Sequence, residues 1–153
     1  MPTRRQWMTT EAVKVAALLA ATGLLPDTAL AAWNAGAFDA RSVVDAMKAL
    51  GRAAPVASGD ITLTAPDIAE NGAAVPVSLS TRLPGVKQMA LLVEKNPNIL
   101  VAVFDLGDGM EPDISTRIKM AESSNVVAVA VMGDGRVLFA QRDVKVTLGG
   151  CAA

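Results

Sequence analysis

From residue 113 to residue 120 apolar and polar positions alternate one for one. Ile114, Thr116, Ile118 and Met120 fall on one face, Ser115, Arg117 and Lys119 on the other. A period of two is the signature of a strand with one face buried and one in water. Residues 126–132 are instead apolar on both faces, which suits either a central strand covered twice or a strand that meets another subunit. Further apolar or alternating runs at 61–64, 74–81, 86–94, 100–106 and 136–148 predict the remaining strands. Asp108-Gly109 and Asp134-Gly135 carry the turn chemistry that joins antiparallel neighbours, Asn71-Gly72 reads as another hairpin turn, and 94–98 as a strand end with its loop. One segment, 38–51, has helical spacing, with Val43, Met47 and Leu50 at i, i+4 and i+7. Asp39 can cap its start, and Gly51 suits the left-handed position after its end. Short strands separated by turns about every 8 to 12 residues imply a mainly β fold, an immunoglobulin-like antiparallel β-sandwich with a short N-terminal helix.

The first thirty or so residues read as an address rather than as fold. Arg4 and Arg5 precede a mildly apolar run over 12–25 that contains Lys14, and Ala29-Leu30-Ala31 follows. A basic start, an apolar stretch and an A-x-A site make a secretory signal, and the twin arginine with weak hydrophobicity points to the Tat route. The run is shorter than the ~20 apolar residues that a membrane span needs, so no membrane anchor is expected. The expected organisation is a Tat-type signal over 1–31, a sandwich domain over 32–148 and a C-terminal arm over 149–153, with a periplasmic location.

Composition narrows the chemistry. Of 153 residues, 52% are hydrophobic and 19% charged, which reads as one globular domain. Three Phe, two Trp and no Tyr leave an aliphatic core. The net charge is −1 and no Lys/Arg block is present, so nucleic acid is not an expected partner. With no histidine and one cysteine, the chain cannot supply a His/Cys metal site or a Ser-His or Cys-His nucleophile pair. No metal and no cofactor are expected, and Asp108, Glu111 and Asp113 read as solvated turn acids. Arg117 and Lys119 read either as partner contacts or, as is commoner, as exposed strand charges that only discourage edge pairing.

The one cysteine, Cys151, stands three residues from the end in Leu148-Gly149-Gly150-Cys151-Ala152-Ala153. Gly149 and Gly150 lack a Cβ to pack and lose the most entropy if ordered, so they read as the flexible base of an arm that carries a thiol. A lone thiol has no internal disulfide partner, although two Cys151 thiols can link two chains. No cation lies next to it in the sequence to favour the thiolate.

Four stretches in order, PDIAENGAAVPV at 66–77, VEKNPN at 93–98, STRIKMAE at 115–122 and VKVTLGGC at 144–151, resemble SoxY, the sulfur-carrier subunit of the bacterial thiosulfate-oxidising (Sox) system. The resemblance implies an immunoglobulin-like fold, a heterodimer with a SoxZ-like subunit, and sulfur intermediates held covalently on Cys151. It implies a protein that is not itself an enzyme. SoxAX-type, SoxB-type and, in some organisms, SoxCD-type enzymes would act on the cargo in turn. The family's arm typically ends Gly-Gly-Cys-Gly-Gly, and Ala152 and Ala153 depart from it. The competing reading is an exported immunoglobulin-like binding or structural module whose cysteine only links subunits by a disulfide.

Overall fold

The computed structural model describes residues 34–150. The signal expected at 1–31, with Arg4 and Arg5, and the tail residues Cys151, Ala152 and Ala153 lie outside the described residues.

The helical segment divides in two. Helix α1 spans Ala35–Phe38 and α2 spans Val43–Ala49. Asp39 closes α1, and Ser42 caps α2 instead, with its side chain accepting from Asp45 N at 3.1 Å and donating to Asp45 Oδ2 at 2.7 Å. This reciprocal cap needs Ser42 in an extended conformation (φ −145°), so a continuous helix over 38–51 is broken there. Gly51 sits at φ +69°, its N–H reaching Lys48 O and that of Arg52 reaching Met47 O, so it ends α2 as its left-handed preference predicts.

Nine strands follow among the described residues: β1 (Val56–Ala57), β2 (Ile61–Thr64), β3 (Ile68–Asn71), β4 (Val75–Thr81), β5 (Val86–Val93), β6 (Leu100–Asp105), β7 (Asp113–Ile118), β8 (Ser124–Met132) and β9 (Val137–Leu148). The larger sheet has the order β1-β9-β8-β5-β6, with β3 pairing the end of β9, and the smaller has the order β2-β4-β7. The seven expected strands form within two residues of their predicted bounds. Strands β1 and β3 were not expected. Each is short and lacks alternation, and each pairs with β9 in parallel, a contact that local pattern does not announce.

The fold is the expected immunoglobulin-like sandwich, with a third layer added. Val75, Val77 and Leu79 of β4 meet Met89, Leu91 and Val93 of β5 and Val126, Ala128 and Ala130 of β8 between the sheets. On the opposite face of the larger sheet, Ala90, Leu92, Val127, Val129 and Val131 pack with Ala37, Ala46 and Met47 of the helical segment. Strand β8 is therefore covered twice within one chain, and its apolar residues 126–132 are all buried. They are not free to serve as the partner surface that their two-sided hydrophobicity allowed.

Two turns also differ from expectation. Asp134-Gly135 does join antiparallel β8 and β9, with Gly135 at φ +90° and the Asp134 carboxylate accepting from Arg136 N at 3.0 Å and Nε at 2.7 Å. These bonds, the backbone one first, hold the Asp134 carboxyl below the usual carboxylate range. Asp108-Gly109, however, carries the chain from β6 to β7 in the other sheet, and Asn71-Gly72 carries it from β3 to β4 in the other sheet. Neither is a hairpin, because each flanking strand finds its partner elsewhere in the chain.

Truncating the fully buried Leu91 to Ala is expected to cost about 2–5 kcal/mol in urea unfolding. Ser42→Ala is expected to cost about 1 kcal/mol, the worth of a helix cap.

Candidate functional site

The segment that leads to Cys151 is held by its backbone. Pairing of β9 with β8 ends at Val144, opposite Ser124. Beyond it, β3 runs alongside in parallel, with Ile68 opposite Lys145, Ala69 opposite Val146 and Asn71 opposite Leu148. Lys145 N donates to Asp67 O at 3.0 Å, and Arg142 Nη2 to Asp67 Oδ1 at 2.7 Å. Ser123 binds the same stretch, its Oγ accepting from Val146 N at 2.8 Å and donating to Val146 O at 3.4 Å. Backbone groups that β8 no longer pairs are thus bonded to two other segments, as half-buried peptide groups require.

Three chain segments then close on one another. Gly72 N donates to Leu148 O at 2.7 Å, Met120 N to Gly72 O at 2.8 Å, and Gly150 N to Met120 O at 2.9 Å. The side chain of Asn96 reaches in from the β5–β6 loop, with Nδ2 donating to Lys119 O at 2.7 Å and Oδ1 accepting from Ala121 N at 2.9 Å. Asn71 Oδ1 accepts from Ala73 N at 2.8 Å and shapes the turn that presents Gly72. All four stretches that resemble SoxY contribute to this crossing.

The crossing is too tight for side chains. A Cβ on Gly72 would collide with Met120 O and lie 2.8 Å from Gly150 N and 3.0 Å from Val146 Cγ1. One on Gly149 would collide with Ala121 O, and one on Gly150 with the Gly72–Ala73 peptide. Glycine is needed at these three positions because backbones approach closely. Gly149 and Gly150, read from the sequence as the flexible base of an arm, are both half-buried and touch the turns at 72–73 and 120–121. Local sequence shows only that a Cβ is missing, not which distant backbone fills its place.

Asn71-Gly72, Asn96 and Ser123 were absent from the candidates read from sequence. The signal of Asn71-Gly72 and Asn96 lay in two of the stretches that carried the resemblance and was assigned to a hairpin and a loop, while Ser123 lies one residue beyond a third. The remaining charges are peripheral. Lys95 lies 3.9 Å from Glu122 and both are exposed. Asp108 lies 2.7 Å from Lys87 Nζ, and the hydrogen bond from that ammonium lowers its carboxyl below the ordinary range. Among the described residues no three His, Cys, Asp or Glu side chains gather to hold a metal ion. Among them, too, no helix is long and apolar enough to cross a membrane. A broad hollow of about 1020 Å³ lies at the other end of β4 and β7, lined by Asp60, Arg82 and Glu111 among others.

Gly72→Ala and Gly150→Ala are each expected to lower stability by about 1–3 kcal/mol, the usual cost of forcing atoms into filled space. Gly59→Ala, where a Cβ meets nothing within 4 Å, is expected to change it by less than about 0.5 kcal/mol. Thermal unfolding of the three variants distinguishes the close crossing from general intolerance of alanine at glycine.

The family model described as sulfur oxidation protein SoxY matches residues 46–151, which includes every segment of the crossing and Cys151. The solved structure of the sulfur carrier protein SoxY from Chlorobium limicola f thiosulfatophilum is 41% identical, with 61% of this chain and 86% of that chain covered and a TM-score of 0.56. A superoxide reductase (neelaredoxin) from Ignicoccus hospitalis, at 16% identity with 56% of this chain and 78% of that one covered, gives a TM-score of 0.51. A putative superoxide reductase from Thermotoga maritima, at 11% identity with 60% and 93% covered, gives 0.52. These last two are similar in fold alone. Comparison with curated protein sequences gives no match. With the family model spanning more than half its length and ending on its one cysteine, the chain belongs to the SoxY family of sulfur oxidation proteins.

Proposed function

We propose that this protein is a sulfur carrier of thiosulfate oxidation, which holds its cargo covalently on Cys151 and presents it to partner Sox enzymes. The observation that supports the reading best is the convergence of four separate stretches on the root of the tail that bears the chain's one cysteine. Close backbone contacts at the base of a lone thiol support a role in presenting it.

The chemistry follows from a thiol and thiosulfate. Joining them forms one S–S bond and releases a proton and two electrons, so a partner cytochrome of the SoxAX type is the oxidant. Hydrolysis of the resulting S-thiosulfonate by a SoxB-type partner breaks the bond from the sulfane sulfur to the sulfonate. Sulfate leaves and a persulfide stays on Cys151, with no change in electron count. A SoxCD-type partner, where present, oxidises that sulfane further. The chain has no histidine and no second cysteine to act as base or resolving thiol, so each step belongs to a partner.

Arg4 and Arg5 with the A-x-A site at 29–31 support Tat export to the periplasm. There the protein would pair with a SoxZ-like subunit. Ala152 and Ala153, which replace the family's usual glycines, add two methyl groups that partner channels must admit.

Mass spectrometry of the Cys151 peptide from cells grown on thiosulfate is expected to find thiosulfonate or added sulfane sulfur. Free thiol and symmetric disulfide alone would leave only the subunit-linking reading. Co-expression with a SoxZ-like chain is expected to give a 1:1 complex that survives reductant, because its association would rest on buried surface and not on a disulfide. A complex that falls apart on reduction would contradict it.

A further inference from the structure

We infer that Asn96 is a positioning residue for the tail that bears Cys151, holding it in a short-reach state that one hydrogen bond can release. The inference takes the tail's purpose from the carrier reading, but its geometry stands independently. Asn96 lies on the loop between β5 and β6, which is itself braced: Asn96 N donates to Val93 O at 3.2 Å, and Lys95 N donates to Oγ of the buried Ser124 at 3.0 Å. From this support its amide spans the peptides on both sides of Met120, donating to Lys119 O and accepting from Ala121 N. The Met120 side chain is fully buried below them. The direction of Met120 O is therefore set from three sides, and that carbonyl accepts Gly150 N.

This bond decides how far the thiol can travel. While it holds, covalent geometry puts the Cα of Cys151 about 3.8 Å from that of Gly150, so the thiol reaches little more than one residue beyond the body. When it opens, Gly149 and Gly150 can join the free length, each adding about 3.5 Å when extended. Both glycines have wide backbone freedom once they leave the crevice. A single half-buried bond at the root thus separates a retracted tail from an extended one, and Asn96 fixes the acceptor that makes it. A partner whose reactive centre is recessed needs the extended state, whereas one that docks at the surface can use the retracted one.

The test uses the full chain, whose one cysteine takes a nitroxide label at Cys151 without further substitution. Its readouts are the mobility of that label and the amide exchange rates of Gly150 and Val129, the latter in the buried strand β8. Asn96→Ala is expected to raise exchange at Gly150 by about tenfold and to sharpen the label's spectrum, while Val129 keeps its wild-type rate. Asn98→Ala, on the same loop, is expected to match wild type. Asn96→Asp keeps the side chain's size and the acceptor for Ala121 N but loses the donor to Lys119 O. It is expected to move both tail readouts the same way, and it carries the test if the alanine variant fails to fold. Unchanged Gly150 exchange in the folded variants would overturn the inference. So would equal rises at Gly150 and Val129, which would make Asn96 a general support of the fold. The adduct measurement on Cys151 is independent of both, so failure of the carrier reading would be seen there and would leave the Gly150 result standing.

Discussion

The rest of the structure depends on the burial of β8 on both faces. A strand apolar on each side cannot lie at a surface without exposing a large patch, so both faces of the larger sheet must be covered near it. The two short helices, drawn together by the Asn34 side chain, which donates to Ala49 O at 2.9 Å, cover one face. The smaller sheet covers the other. Once the smaller sheet is seated there, the end of β7 and the start of β4 lie beside the last residues of β9. The crossing of Gly72, Met120 and Gly150 is where these three segments meet, so a packing requirement in the core locates the root of the tail.

The root of the tail is held by neutral backbone and amide groups, not by charge. Its ion pairs, such as Lys95–Glu122 and Arg142–Asp67, lie at the exposed margin, where such pairs contribute little and weaken with salt. Hydrogen bonds among half-buried peptide groups depend little on ionic strength, and leaving one unmade costs more than making it gains. Among the described residues, the neighbours of Gly149 and Gly150 are turns and strand ends.

Much of the fold was legible in the chain. Alternation over 113–120 marked a half-buried strand, continuous hydrophobicity over 126–132 marked either a central strand or one that meets another subunit, and Gly51 and Asp134-Gly135 named their turns, because side-chain period and positive φ are local properties. What the pattern left open was pairing. Whether Asn71-Gly72 and Asp108-Gly109 turn within a sheet or between sheets depends on which distant faces their flanking strands must cover. Strands of two and four residues such as β1 and β3 exist only because β9 offers them an edge.

The sequence by itself determined the class of the fold, its one thiol and the lack of histidine or a second cysteine, since those follow from side-chain period and residue inventory. Only the tertiary structure decided that Gly149 and Gly150 are tight contacts and that Asn96 faces the turn at Met120. Steric clearance and hydrogen-bond partners there belong to segments up to 78 residues apart in the chain, Gly72 and Gly150, and become properties of a residue only when packing brings those segments together.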